Sequence, residues 1–116
     1  KKKAGVTVAE YRRMALSLPG AVEGEHMGNP DFRVDGRIFC TLSLAKEGFG
    51  VVKLTPEEQA GMVADAPEVF SPVPGGWGRM GMTRVRLDSV SVEMLEGALR
   101  TAWRLRLKKG KGGVAS

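Results

Sequence analysis

Val8, Tyr11, Ala15 and Leu18 recur at helical spacing near the start of the chain, with Met14 beside them. Thr7-Val8-Ala9-Glu10 has capping-box spacing, in which the threonine oxygen accepts from the third helical N–H and the glutamate reaches back. Leu18-Pro19-Gly20 ends the helix, since proline removes a donor and glycine permits a left-handed exit. The period then shortens to two. Residues 22–26 form a weak first strand, interrupted by Gly24. Residues 32–34, the pair Asp35-Gly36 and residues 37–42 predict a β-hairpin, because Asp-Gly supplies the positive φ that tight hairpin turns require.

Two registers fit that hairpin. A two-residue turn places Phe32, Val34, Arg37 and Phe39 on one face. A three-residue turn with a bulge at Gly36 groups Phe32 with Ile38, Cys40 and Leu42 instead, and leaves Arg33, Arg37 and Phe39 outward. The bulged turn separates apolar from charged side chains more cleanly and is the favoured expectation.

A turn at Ala45-Lys46-Glu47-Gly48 leads to a strand over residues 49–54. Thr55-Pro56-Glu57-Glu58 opens a second helix with a cap, a proline at its first position and carboxylates at the positive dipole end; Pro67 bounds it. Ser71-Pro72-Val73-Pro74-Gly75-Gly76 predicts an irregular loop. In Met82-Thr83-Arg84-Val85-Arg86-Leu87, Thr83, Val85 and Leu87 face one way while Arg84 and Arg86 face the other. A third helix starts near Ser91, with Val92, Leu95, Leu99, Ala102, Trp103 and Arg106 on one stripe, so Trp103 is expected in the core. The order predicts an α+β, two-layer α-β sandwich, with a mostly antiparallel sheet and helices packed on one face. The other face is then open to solvent or a partner. One domain over residues 4–108 accounts for the chain, flanked by basic, frayed tails at 1–3 and 109–116.

Charge changes this picture little. The net charge is +5, but Lys1, Lys2, Lys3, Lys108, Lys109 and Lys111 at the two ends supply six positives. Residues 4–107 hold 12 basic and all 13 acidic side chains. A nucleic-acid-binding domain concentrates positive charge on its folded surface. Here residues 21–68 carry nine acidic against four basic side chains, and from Trp77 onward nine basic stand against three acidic, so a polyanion site belongs in the C-terminal third. Cys40 has no disulfide partner within the chain, and no apolar run approaches membrane-spanning length. A cytoplasmic protein with no membrane association is the expectation.

Candidate chemistry is sparse. Gly76-Trp77-Gly78-Arg79-Met80-Gly81 matches GxGxxG, yet the nucleotide-binding turn must follow a strand and open a helix. Here a Pro/Gly loop precedes it and a strand follows, so the glycines are expected to allow a tight loop that tucks Trp77 inward. His26, the single histidine, and Cys40 have no metal-ligand partners at suitable spacing, so no metal or cofactor is expected. Cys40 in an apolar strand behaves as a small hydrophobe, and Glu23 and Glu25 are solvated surface carboxylates. No catalytic residue can be named, and an enzyme is not expected.

The outward sheet face is more informative. The favoured register places Arg33, Arg37, Phe39, Lys53, Arg84 and Arg86 there together, where guanidinium groups suit phosphate and a ring can stack a base. Trp77 and Arg79 in the loop either extend that candidate site or, for Trp77, plug the core.

Three stretches carry a resemblance: Gly28-Asn29-Pro30-Asp31-Phe32-Arg33-Val34-Asp35-Gly36-Arg37-Ile38-Phe39, Val51-Val52-Lys53-Leu54-Thr55-Pro56-Glu57, and residues 74–87 around Gly76-Trp77-Gly78-Arg79. With Ala15-Leu16-Ser17-Leu18-Pro19-Gly20 and Ala102-Trp103-Arg104, their order and spacing resemble the MmcQ/YjbR-like family of small bacterial proteins from about Val6 to Lys108. The resemblance implies an α-β sandwich related to the bacterial frataxin-like (CyaY-like) fold, and DNA binding through a double wing of β-hairpins. Iron binding does not carry over, because the first helix sets only Glu10 against Arg12 and Arg13. The expected function is therefore nucleic-acid binding through the basic sheet face. The alternative is a non-catalytic protein- or small-ligand-binding module, with the loop of residues 74–81, His26 and the neighbouring residues 27–29 lining a pocket.

Overall fold

In the computed structural model, which describes residues 5–108, Thr7 caps α1 (Val8–Leu16) through the full capping box with Glu10. Four strands follow: β1 (Val22–His26), β2 (Asn29–Val34), β3 (Arg37–Thr41) and β4 (Phe49–Lys53). Thr55 caps α2 (Pro56–Asp65). A short β5 (Phe70–Pro72), a single-turn α3 (Gly76–Arg79) and β6 (Met82–Arg86) lead into α4 (Val92–Arg106). The six strands form one sheet in the order β1-β2-β3-β4-β6-β5, every neighbour antiparallel. The α+β sandwich is as expected. The expected tails at 1–3 and 109–116 lie outside the described residues.

Cross-strand register assigns the two faces. Phe32 pairs with Cys40, Cys40 with Val52 and Val52 with Thr83, so these side chains share one face. That face is covered. Tyr11 of α1 packs its ring over Gly50, meets Phe32 edge-on at 6.4 Å, and brings its hydroxyl to 3.1–3.2 Å from the Val51 and Thr41 carbonyl oxygens. Leu95, Ala98, Leu99 and Ala102 of α4 join the same buried cluster. From α2, Gln59 places Nε2 3.0–3.1 Å from Gly78 O, Met82 O and Thr83 Oγ1, tying α3 and β6 together. Trp103, expected in the core, is only partly buried and donates its indole N–H to the Pro19 carbonyl.

The β2–β3 hairpin takes the two-residue turn rather than the favoured bulge at Gly36, with Phe32, Val34, Arg37 and Phe39 on one side, and adds a bulge of its own. Asp35 and Gly36 adopt φ of 53° and 78°, the two-residue turn with positive φ at both positions, and Val34 faces Arg37. The bulge lies farther along. Arg33 pairs with Ile38 but Phe32 pairs with Cys40, so Phe39 is the extra residue. Both Phe39 and Cys40 are thereby turned into the core and fully buried. Phe39 is thus not an outward stacking residue: the two-residue turn sets it on the side of Phe32 and Val34, and the bulge brings Cys40 to that side as well. Arg37 is exposed but opposite buried Val34, at the hairpin tip, and does not join the open face either. Residues 71–76 are also more regular than expected, since Phe70–Pro72 pairs with β6 as an edge strand.

Candidate functional site

The uncovered face carries Asp31 and Arg33 from β2, Ile38 and Thr41 from β3, Val51 and Lys53 from β4, and Met82, Arg84 and Arg86 from β6, as the pairings Asp31–Thr41–Val51–Arg84 require. Of the six basic-face candidates, Arg33, Lys53, Arg84 and Arg86 are therefore brought to one surface. Their interactions differ from a free phosphate-binding row. Arg33 forks onto Asp31, with Nε 2.8 Å from Oδ1 and Nη2 3.1 Å from Oδ2. This bond and the adjacent carboxylate charge raise the guanidinium's pKa further. Asp31 is 1% exposed, so the fork neutralises a buried carboxylate. Gly24, opposite it on β1, leaves the room the fork occupies.

Arg84 and Arg86 both lie over the Phe49 ring, 4.6 and 5.1 Å from its centroid, and Arg84 also donates to Ser71 Oγ at 3.1 Å. Neither forms an ion pair with a carboxylate among the described residues. Lys53 donates from Nζ to the Met80 carbonyl at 3.0 Å. Its pKa is lowered, first by burial and then by the nearby charge of Arg106.

Lys53, but none of Arg33, Arg84 and Arg86, lines a groove of about 570 Å³. Its floor includes Ile38, Thr41 and Met82, with Asp31 the one carboxylate lining it. One wall is the β1–β2 turn with His26, Met27 and Asn29; the other is α3 and the residue after it, with Trp77 and Met80. Lys53 and Arg106 border it as well. His26 and Trp77 thus line one cavity, although 50 residues separate them in sequence. Trp77 is not tucked inward: it is 66% exposed. The turn that carries it is held down by Gly78, packed against the Val73 backbone, so the ring is left at the rim. Arg79 points to a different, smaller cavity with Gln59 and Val73.

Met27 and Met80 lie in the two segments expected to line a pocket but were not singled out there, and Asp31 and Arg106 were not site candidates. Met27 is 86% and Met80 64% exposed, and with Trp77 they are the three most exposed large apolar side chains described. Met27 moreover adopts φ 55°, a left-handed conformation unusual for a residue with a side chain. Two dispersed methionines carry no spacing signal. Asp31, by contrast, was visible as the residue two before Arg33 on the same strand face.

The histidine and the thiol are separated by the sheet, since His26 belongs to the open face and Cys40 to the covered one. Burial pushes the Cys40 thiol up, and that of the Tyr11 phenol likewise. No group of three or more His, Cys, Asp or Glu side chains placed to hold a metal occurs among the described residues. No helix among them is long and apolar enough to cross a membrane.

A model of the YjbR family matches residues 16–105, which span every strand of the sheet. The chain belongs to the YjbR family. The fold of this YjbR-family chain is similar to the crystal structure of Deinococcus radiodurans protein DR2400, described as a DUF419 domain, with a TM-score of 0.74 at 23% identity. That similarity covers 90% of this chain and 80% of the other. A comparison with curated proteins finds no match.

Proposed function

We propose that this YjbR-family chain is a non-catalytic binding module that takes a small ligand in the groove on its open sheet face. One observation carries the reading: the three most exposed large apolar side chains, from two distant turns, converge on a single concavity of about 570 Å³. Pockets of a few hundred Å³ lined by apolar and aromatic side chains with a few polar groups suit small organic ligands. Methionine thioethers adapt to varied shapes, and the indole adds a flat apolar surface. Backbone strain at Met27, which holds its side chain over the groove, supports the same reading. A thiol kept protonated by burial, on the opposite sheet face from the one histidine, favours binding over turnover.

The test is a titration with mixtures of small organic compounds, followed by NMR of isotope-labelled protein. The indole signal of Trp77 is assigned by its loss in Trp77→Phe. Shifts concentrated on Trp77 and the methyls of Met27 and Met80 are expected. Compounds that bind while leaving those signals in place would count against the groove.

A second reading, nucleic-acid binding, is favoured by Arg84 and Arg86, which share the open face and have no carboxylate partner among the described residues. Phosphate contacts of this kind give weak, salt-sensitive binding with little sequence preference. Titration with short DNA at two salt concentrations addresses it. Affinity unchanged in the Arg84→Ala/Arg86→Ala protein would remove this surface from consideration.

A further inference from the structure

The groove is lined largely by apolar side chains and holds two cations. Ile38, Met80, Met82 and Trp77 are among its apolar lining, while Lys53 and Arg106 border it from β4 and from the last turn of α4. Two cations near each other in a partly buried setting repel, and each has lost some of its water. The surroundings do not compensate them. Asp31, the one carboxylate lining the groove, is already held by both prongs of Arg33. Lys53 finds only a carbonyl, that of Met80. Arg106 has its Nε buried without a hydrogen-bond partner and forms no ion pair among the described residues. A buried guanidinium N–H without an acceptor is costly, and an acceptor supplied by a ligand relieves it. The lowered pKa of Lys53 has the same origin, desolvation plus the Arg106 charge, and an anion placed between them would reverse it.

We infer, resting on the groove reading above, that the occupant is an amphipathic carboxylate: an apolar chain or ring along Ile38, Met82, Met80 and Trp77, with its carboxylate between Lys53 and Arg106. A guanidinium offers paired donors to the two carboxylate oxygens, and an ammonium adds a point charge. Polyanions fit less well, because Lys53 and Arg106 are the two Lys/Arg side chains lining the groove and most of the others are apolar.

The experiment uses three probes of matched chain, namely decanoate, decanol and decylammonium, titrated against the intact chain and followed through the Trp77 indole signal. Decanoate is expected to bind about tenfold more tightly than decanol, the scale of one hydrogen bond to a charged group, with decylammonium weaker than either. Arg106→Gln should erase the preference for decanoate while decanol binds as before. Because Lys53 also holds the Met80 carbonyl, Lys53→Arg serves as the variant that keeps both charge and fold and should retain the preference. Equal affinity for decanoate and decanol would overturn the carboxylate inference and leave the groove reading standing, as would tighter binding of decylammonium. Failure of all three probes to move the Trp77 signal would overturn both.

Discussion

Gly24 stands directly across the β1–β2 ladder from Asp31, and a Cβ at that position would lie 2.9 Å from both Asp31 Oδ1 and Arg33 Nε. The missing side chain is what lets the fork form over the strand pair. Gly24→Ala should force the guanidinium aside and leave the buried carboxylate short of a partner, lowering stability by about 1–3 kcal/mol in urea unfolding. Double-mutant analysis separates this from a simple strand effect. Arg33→Ala should cost much less in the Gly24→Ala background than in the wild type. Equal costs would mean that the glycine and the fork are independent.

Phe39 was expected on a nucleic-acid surface and is instead a core residue, a difference with a measurable consequence. Phe39→Ala should destabilise the fold by about 3–5 kcal/mol, the usual scale for deleting a buried aromatic. Arg37→Ala, two residues away at the exposed hairpin tip, should change stability by no more than about 0.5 kcal/mol. Comparable losses in the two variants would contradict the burial of Phe39.

How far these placements were legible in the sequence depends on the range of the interaction that decides each. Strand β6 is decided locally, and its alternation of Thr83, Val85 and Leu87 with Arg84 and Arg86 is the alternation observed. The capping residues Thr7, Thr55 and Ser91 act within one helical turn and were equally plain. The bulge depends on what covers the strand: α4, more than 50 residues later, makes turning both Phe39 and Cys40 inward favourable. Arg106 shows the same limit. Its place on the apolar stripe of α4 was visible, but its arrival beside Lys53 follows from how α4 crosses the sheet. The exposure of Trp77 is set by Gly78 meeting the Val73 backbone, a contact that a GxGxxG string does not encode.

Alkaline pH offers a test of the core around α1. Burial raises the Cys40 thiol, and in the folded chain it stays protonated where an unfolded chain ionises it at the ordinary value of 9.0. Above that value the unfolded state binds fewer protons than the folded one. Stability that is complete below it is therefore lost as pH rises toward the raised folded value. The loss approaches about 1.4 kcal/mol per pH unit for one such group. The Tyr11 phenol, also raised by burial, adds to it only at higher pH. Between about pH 8 and about pH 10, Cys40→Ala should lose less stability than the wild type in denaturant titrations. Equal losses would show that the thiol titrates freely in the folded state.

Met27 sets stability against binding. At φ 55°, followed by Gly28 at 83°, it occupies the first position of a turn that favours asparagine. A methionine there accepts a left-handed backbone, and its side chain gains no burial in return, being 86% exposed. Met27→Asn should therefore raise stability by about 0.5–1 kcal/mol, read as a higher denaturation midpoint with unchanged m-value. The same substitution removes a thioether from the groove wall opposite Trp77, so affinity for apolar ligands should fall several-fold while the Trp77 indole still reports what binding remains. A variant that is both more stable and equally competent to bind would mean that the strained methionine serves the turn alone, and the groove would then end at His26.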